Sequence, residues 1–140
     1  MSGFVLGQKS LERLNGVDPN LAKVVKRAIE ISEVDFKVIE GLRTRERQQY
    51  LVSKGASKTM NSRHLTGHAV DLAAVVGGVI TWDWAHYHRI AAAMKKASEE
   101  LGVELVWGGS WSRLSPLTMT NGRFKLSSTF PDGPHFEIAR

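Results

Sequence analysis

The sequence predicts an α+β fold in which helices flank a small antiparallel sheet. Its apolar residues follow two periods, one of three to four residues that is typical of helices and one of two residues that is typical of strands. The two kinds of segment do not alternate in the regular order that a parallel sheet requires. A length of 140 residues is that of one ordinary domain. We therefore expect residues 1–140 to form a single domain.

Capping residues and apolar stripes predict four helical segments. The residues expected to begin them are Ser10, Asp18, Thr44 and Asp83. The first segment is a short turn through Leu14, the second begins with an N-cap followed by Pro19, and the third is a polar helix that ends near Lys54. The fourth helix is long and ends at Gly102. Its expected buried stripe comprises Trp84, Tyr87, Ile90, Ala91, Met94, Ala97 and Leu101.

Strands are expected where apolar residues alternate or run together. The predicted strands cover residues 36 to about 41, 69–76, 103–107 and 135–139. Between the last two lies a stretch from Gly108 to Gly133 that is rich in Ser, Thr, Gly and Pro, and loops of this length are often functional. Within it, residues 119–126 are expected to form a hairpin around Asn121-Gly122.

The composition excludes several kinds of protein. Without cysteine, the chain has no disulfide framework, cysteine nucleophile or thiolate metal site. A net charge of +5 is compatible with an ordinary surface or with attraction to a polyanion, but no Lys/Arg run exceeds two residues, which argues against nucleic-acid recognition. The N-terminal residues 1–7 lack the features of a signal peptide, and no apolar stretch reaches the ~20 residues of a membrane span. We therefore expect a soluble cytoplasmic protein.

Residues 62–71 are the part of the sequence richest in potential metal ligands. His and Asp are borderline ligands that suit Zn²⁺, and catalytic zinc sites commonly use three protein ligands. Gly67 and Val70 disfavour a helix, which argues against a zinc-binding pair of histidines on one helical turn. Spacing alone leaves a metal site and a chance coincidence both open. The candidate ligands are His64, His68 and Asp71 within this stretch, and Asp132 and His135 near the end of the sequence.

The complete pattern resembles the M15 family of zinc peptidases. The matching string runs from Ser62 to Asp71 with the form S-x-H-x-x-G-x-A-x-D, and D-x-x-H follows at residues 132–135. Residues 40–44 and Trp107-Gly108-Gly109 match as well, and the resemblance extends from about Leu11 to the end. It is closest to the phage endolysin branch of L-alanyl-D-glutamate endopeptidases. It implies the M15/Hedgehog-like fold of these zinc peptidases.

The resemblance also implies roles for individual residues. His64, Asp71 and His135 are expected to bind Zn²⁺, and Asp132 matches the acidic catalytic residue. His68 has no ligand role in this pattern. Arg43 matches the arginine of the family that faces the substrate, and Ser62 matches a residue near the substrate. The arginine would stabilise an oxyanion or clamp a substrate carboxylate; taken without the family match, it is interpreted as one partner of a surface salt bridge.

Four side chains outside the motif are assessed from their positions alone. Trp111 is a candidate wall of the substrate groove, and Glu137 is either a support for the metal site or an exposed strand carboxylate. His86 and His88 are two residues apart and cannot share a helix face, so we interpret both as surface residues.

The function implied is that of a zinc-dependent peptidoglycan endopeptidase that hydrolyses the L-Ala–D-Glu bond of peptide stems. The alternatives are a D-Ala-D-Ala carboxypeptidase or dipeptidase, and a non-catalytic zinc-containing module that binds the cell wall. We expect a monomer without a separate wall-binding domain, held in the host cytoplasm until a holin gives it access to the wall. One departure from the branch is Ser110, which stands where an Asp is usual, and residues 110–131 form a longer loop.

Overall fold

An antiparallel sheet forms the centre of the molecule. The computed structural model describes residues 3–57 and 59–140, so Met1 and Ser2 of the N-terminal segment lie outside the described residues. The helices are α1 (Gln8–Arg13), α2 (Pro19–Ile31), α3 (Arg45–Ser53) and α4 (Trp84–Leu101), with a 3₁₀ turn at Arg63–Thr66. The strands are β1 (Asp35–Glu40), β2 (Ala69–Val76), β3 (Val79–Thr81), β4 (Leu105–Trp107), β5 (Ser112–Arg113) and β6 (His135–Ile138). Their order in the sheet is β1-β2-β6-β4-β5, with β3 paired to β2, which confirms the predicted α+β fold.

The predicted helix starts are confirmed at three of four places. The side chains of Asp18, Thr44 and Asp83 each accept a hydrogen bond from a backbone N–H in the first turn of the helix that follows. The prediction for Ser10 is wrong, because α1 begins after Gly7. The buried Ser10 hydroxyl instead accepts a hydrogen bond from the backbone N–H of Val38 on β1, 3.0 Å away.

Strand β2 separates the hydrophobic core from a polar face of the sheet. Successive side chains of a strand point to opposite faces. Val70, Leu72 and Ala74 point into the core, where α2 and α4 pack against each other and α4 packs on the sheet. Asp71 therefore points to the other face, and Phe136 of β6 packs in the core while its neighbours along the strand face the same way as Asp71.

Helix α4 corrects two expectations. Leu101, expected in the buried stripe, is 44% exposed because it ends the helix beyond the core. His88, expected at the surface, is fully buried, whereas His86 is half-buried. The ring of His88 lies against Trp107 and Phe124, and its Nδ1 accepts a hydrogen bond from the backbone N–H of Phe124. Helical spacing missed this because the long loop, and not another helix, covers that side of α4. None of the helices in the described part of the chain is long and apolar enough to cross a membrane.

Lowering the pH is expected to reduce the free energy of unfolding because His88 is buried. Burial, and then the positive charge of Arg123, lower the pKa of His88 below its usual 6.5. Below pH 6.5 the unfolded chain therefore binds a proton at this position that the folded chain does not, so the free energy of unfolding falls as the pH falls. We expect a loss of up to about 1.4 kcal/mol per pH unit from this residue. Urea unfolding of the metal-free protein at pH 7.5 and 5.5 measures it.

A His88→Asn variant is the control for this effect. The asparagine side chain keeps an acceptor for the Phe124 N–H and has no proton to gain in this range. Its loss of stability between the two pH values is expected to be smaller than that of the wild type. Equal losses would show that His88 does not contribute to the pH dependence.

The stretch from Gly108 to Gly133 folds back onto the core. Leu114 and Phe124 are buried there. The predicted hairpin exists as a single turn, in which Thr120 and Arg123 exchange backbone hydrogen bonds of 2.8 and 3.1 Å. Asn121 and Gly122 have φ angles of 53° and 76°, the left-handed values that a two-residue turn of this kind requires. The far end of the loop returns to the polar face of the sheet.

Candidate active site

The sheet register brings two of the predicted metal ligands together. Asp71 of β2 pairs directly with His135 of β6, so both side chains project from the same face. On the other side of β2, Glu40 pairs with Asp71 after an irregularity in β1. The polar face thus presents two carboxylates, of Glu40 and Asp71, and then the imidazole of His135 in one row across three strands.

His64 reaches this row from the 3₁₀ turn. Ser62 caps the turn, and its hydroxyl accepts a hydrogen bond from the His64 N–H at 3.2 Å. The Nδ1–H of His64 donates to the carbonyl oxygen of Gly41 at 2.9 Å, so Nε2 carries the free lone pair. Gly67 ends the turn with a φ of 77°, and a Cβ there would collide with the carbonyl oxygen of Gly16. Both the left-handed φ angle and the close contact therefore favour glycine at position 67.

Three donor atoms converge at the centre of the polar face. His64 Nε2 lies 3.2 Å from one oxygen of Asp71, and His135 Nδ1 lies 3.3 Å from the other. One ligand atom from each of the three residues falls within 4.8 Å of the other two. Two ligands each ~2.0–2.1 Å from a tetrahedral zinc ion are separated by about 3.3 Å. His64 Nε2 and Asp71 Oδ1 are buried without a hydrogen-bond partner among the described residues, as expected of metal ligands. The donor set fits Zn²⁺.

The charge states of the cluster also suit a cation. Burial opposes ionisation of Asp71, but the adjacent imidazoles of His135 and His64 hold its pKa far below the usual value. Burial opposes protonation of His135, yet Asp71 and then Glu137 raise its pKa to about 9. A metal ion at this position would replace the proton between the imidazole and the carboxylate.

Glu137 supports His135 from behind. The Nε2–H of His135 donates to the Glu137 carboxylate at 2.8 Å, which leaves Nδ1 to face Asp71. Burial alone would raise the pKa of Glu137, but His135, and then the charges of Arg63 and Arg140, hold it below its usual value. Of the two interpretations of Glu137 left open by the sequence, the structure therefore supports the first.

Asp132 lies in the loop just before β6 and is exposed to the cleft. Partial enclosure of the carboxyl group, and then the negative charge of Asp71, raise its pKa, against smaller effects of nearby cations. Its backbone N–H donates to the carbonyl oxygen of Gly108, and the Gly108 N–H donates to that of His135, both at 2.8 Å. A Cβ on Gly108 would collide with the Asp132 carbonyl oxygen. This close approach explains the glycine after Trp107.

Arg43 is held firmly beside the cluster. Its Nε and Nη2 each lie 2.8 Å from one oxygen of Glu40, and its Nη1 donates to Gln48 at 2.8 Å. Nη2 also lies 3.6 Å from Asp71, and Nη1 donates to the Ser62 hydroxyl at 3.4 Å. The side chain is only 9% exposed. The structure thus places Arg43 in a buried network and not in a surface salt bridge.

Gln48 is a site residue that the sequence did not reveal. It is fully buried although it lies on the polar helix α3. Its Oε1 accepts from Arg43, while its Nε2 donates to the Ser57 hydroxyl and to the carbonyl oxygen of Thr59. Gln48 therefore ties the arginine to the loop after α3. Because α3 is polar on most of its surface, its sequence does not indicate that Gln48 is buried or that it binds Arg43.

Two aromatic residues edge the site on the other side. The ring of Trp111 lies 5.3 Å from that of His135, and its indole N–H donates to the carbonyl oxygen of Phe130 at 2.7 Å. Both Trp111 and Phe130 have positive φ angles, 49° and 46°, which are uncommon for residues with a side chain. They are 42% and 64% exposed. Trp111 therefore lines the cleft, and its contact with substrate stays a prediction.

Most of these groups line one cleft of about 1110 Å³, whereas Gln48 lies behind Arg43 and does not line it. The predicted site residues that line it are Arg43, Ser62, His64, Asp71, Trp111, Asp132 and His135. His68 lies elsewhere: its Nδ1 is 2.7 Å from the Thr66 hydroxyl, and its Nε2 is 3.9 Å from Asp18. The prediction that His68 does not belong to the ligand cluster agrees with this position.

The chain resembles several peptidases of known name. An L-alanyl-D-glutamate peptidase of Escherichia phage T5 is 34% identical over 113 residues, which are 78% of this chain and 82% of the relative. One of Listeria phage A118 is 33% identical over 107 residues, 74% of this chain but only 37% of that longer relative. The crystal structure of the Serratia marcescens L-Ala D-Glu endopeptidase ChiX superposes with a TM-score of 0.80 at 40% identity, covering 96% of this chain and 90% of that one.

A match to a protein-family model identifies the family. Residues 1–139 match the model described as phage L-alanyl-D-glutamate peptidase. The match, the two phage relatives and the shared fold confirm the resemblance inferred from the motifs. The chain belongs to the phage L-alanyl-D-glutamate peptidase family.

Proposed function

We propose that this chain hydrolyses the amide bond between L-alanine and D-glutamate in the peptide stems of peptidoglycan, with zinc as its metal. One observation carries the proposal: three ligand atoms converge beside Asp132 on the floor of an open cleft. The family and the names of the relatives support the choice of bond.

His64, Asp71 and His135 are the proposed zinc ligands, through Nε2, a carboxylate oxygen and Nδ1. When bound, zinc supplies a Lewis acid and lowers the pKa of water from 15.7 towards about 7. Glu137 and the Gly41 carbonyl group hold the two imidazoles in the required tautomers.

Asp132 is the proposed general base. Its carboxylate would take a proton from the attacking water molecule and return it to the amine that leaves. Its raised pKa brings it closer to neutrality than that of an ordinary aspartate, which favours both halves of this transfer. The short loop pinned to Gly108 fixes its position relative to His135.

Arg43 is proposed to stabilise negative charge at the reacting carbonyl group. Glu40 and Gln48 fix the guanidinium before substrate arrives, so it need not reorganise during the reaction. Since each of its three nitrogens has a protein partner, no free pair of donors remains for a bidentate clamp on a carboxylate. This supports the first of the two roles that the sequence left open.

Trp111 and Ser62 are proposed to contact the substrate. The exposed indole beside His135 offers a flat apolar wall, and the Ser62 hydroxyl lines the cleft while it accepts from Arg43. We propose that the protein acts as a monomer. The phage origin of the two curated relatives supports dependence on a holin for access to the wall from the host cytoplasm.

Digestion of purified peptidoglycan tests the proposal. With zinc-loaded protein we expect mass spectrometry to find new amino groups on D-glutamate and new carboxyl groups on L-alanine. Release of free D-alanine instead would identify a carboxypeptidase. A protein that contains zinc and binds the wall but cleaves no bond would be a binding module.

A further inference from the structure

The proposed substrate carries a charge that needs a partner in the cleft. D-Glutamate has two carboxyl groups, and only one of them can continue the peptide stem. The other remains a carboxylate, or its amide, a few bonds from the scissile nitrogen. Arg43 is poorly placed to bind it, because its guanidinium nitrogens are already engaged. Arg47 lines the same cleft but forms an ion pair with Glu40 at 3.6 Å.

A basic side cavity adjoins the cleft at its other edge. This cavity, of about 590 Å³, shares Asn61, Ser62, Arg63 and Arg140 with the cleft. Among the described residues that line it, none is Asp or Glu. Its basic residues are Arg45, Arg63, His68 and Arg140. We call this cavity the basic arm.

The two arginines at the junction retain donors for a ligand. Arg63 donates one hydrogen bond, from Nη2 to the Ile138 carbonyl oxygen at 3.1 Å, and its Nε is buried without a partner in the described part of the chain. The residue Arg140 is exposed; its backbone carbonyl oxygen accepts from Arg113 at 3.0 Å. Because this Nε has almost no accessible surface, the donors that can meet a ligand are the Nη groups of Arg63 and the guanidinium of Arg140, whose residues line both cavities.

Glu137 only partly neutralises the two arginines at the junction. Glu137 feels the charges of both Arg63 and Arg140, but it is already bound to His135 at 2.8 Å. Glu137 is thus a carboxylate near both guanidinium groups that is already committed to His135. Because Glu137 contacts the proposed metal ligand His135, both guanidinium groups lie near the proposed metal site.

We propose that Arg63 and Arg140, at the mouth of the basic arm, bind the free carboxylate of the D-glutamate next to the scissile bond. The site would distinguish stems with this carboxylate from stems in which it is amidated. This specificity rests on the proposed function. It assigns to the arginine pair the carboxylate recognition that the engaged Arg43 is poorly placed to provide.

Two synthetic stem peptides that differ only in this group, carboxylate or primary amide, test the proposal. The wild type is expected to show a kcat/KM about tenfold to a hundredfold higher on the carboxylate peptide, as for a charge-assisted hydrogen bond. In Arg63→Gln and Arg140→Gln this ratio is expected to fall towards one. Arg89→Gln, an exposed change on α4 outside the cleft, is the control and is expected to keep the wild-type ratio.

Two further measurements keep the outcome decisive. Binding of both peptides to the metal-free protein reports the preference without turnover, and thermal unfolding shows whether Arg63→Gln is folded. A wild type without preference, or a preference that survives in both variants, would overturn the carboxylate site. Loss of preference in Arg47→Gln alone would assign the recognition to Arg47 instead. If neither peptide nor the intact wall is cleaved while the binding preference persists, the proposed activity fails and the carboxylate site stands.

Discussion

Replacing Asp132 by asparagine is expected to lower kcat by about 10²- to 10⁴-fold, the usual contribution of a general base. Asparagine has nearly the same shape and cannot accept the proton. The backbone hydrogen bonds that pin this loop to Gly108 involve no Asp132 side-chain atom, so the fold is expected to be unchanged. Because the carboxylate is not one of the converging ligand atoms, zinc content is expected to remain that of the wild type. Single-turnover kinetics and metal analysis of the same preparation measure both.

Asp35→Asn is the matched control for this change. Asp35 begins β1 and does not line the cleft, so turnover is expected to stay near the wild-type value. If Asp132→Asn turned over normally, Asp132 would not be the base. If it lost zinc together with activity, Asp132 would belong to the metal site and not to proton transfer.

Replacing His64 by alanine is expected to remove zinc and activity together. The change deletes one of three ligands and leaves the Asp71 carboxylate with one imidazole partner. The loss of zinc affinity should exceed the roughly 10- to 100-fold that removal of a supporting hydrogen bond costs. Competition with a zinc chelator measures the affinity, and added zinc at high concentration should restore little turnover.

His68→Ala is the control, because His68 lies only four positions away in the sequence and lies outside the ligand cluster. It is expected to keep zinc and activity. Since His64 is buried, Asp71→Asn serves as a second variant of almost unchanged shape. Full zinc affinity in both folded variants would disprove the ligand set, and loss of zinc in His68→Ala would extend it.

Much of the fold was predictable because its signals are local. The caps at Asp18, Thr44 and Asp83 act on backbone groups two or three residues away. The alternation along β2 places Asp71 opposite the apolar residues without reference to any other strand. The prediction for His88 was wrong because its burial depends on the long loop, which is distant in sequence, and that for Leu101 was wrong because the helix extends beyond the core.

The motif identified the candidate ligands, but only the sheet register joins them. Asp71 and His135 become neighbours because β6 inserts between β2 and β4, and nothing in the spacing of the sequence specifies that order. The tautomer of His64 depends on the carbonyl group of Gly41, which a sequence pattern does not record. The involvement of Gln48 is equally invisible, because its burial arises from the loop that closes over it.

The sequence by itself determined the fold class, the main helices, the family and the set of residues that carry the chemistry. The tertiary structure decided how those residues are used: which nitrogen of His64 faces Asp71, that Arg43 is engaged by Glu40 and Gln48, and that one donor of Arg63 has no partner among the described residues. The physical reason is one of range. Caps and hydrophobic periods act within a few residues, whereas hydrogen-bond partners, burial and charge environment are set by contacts between segments that meet only when the chain folds.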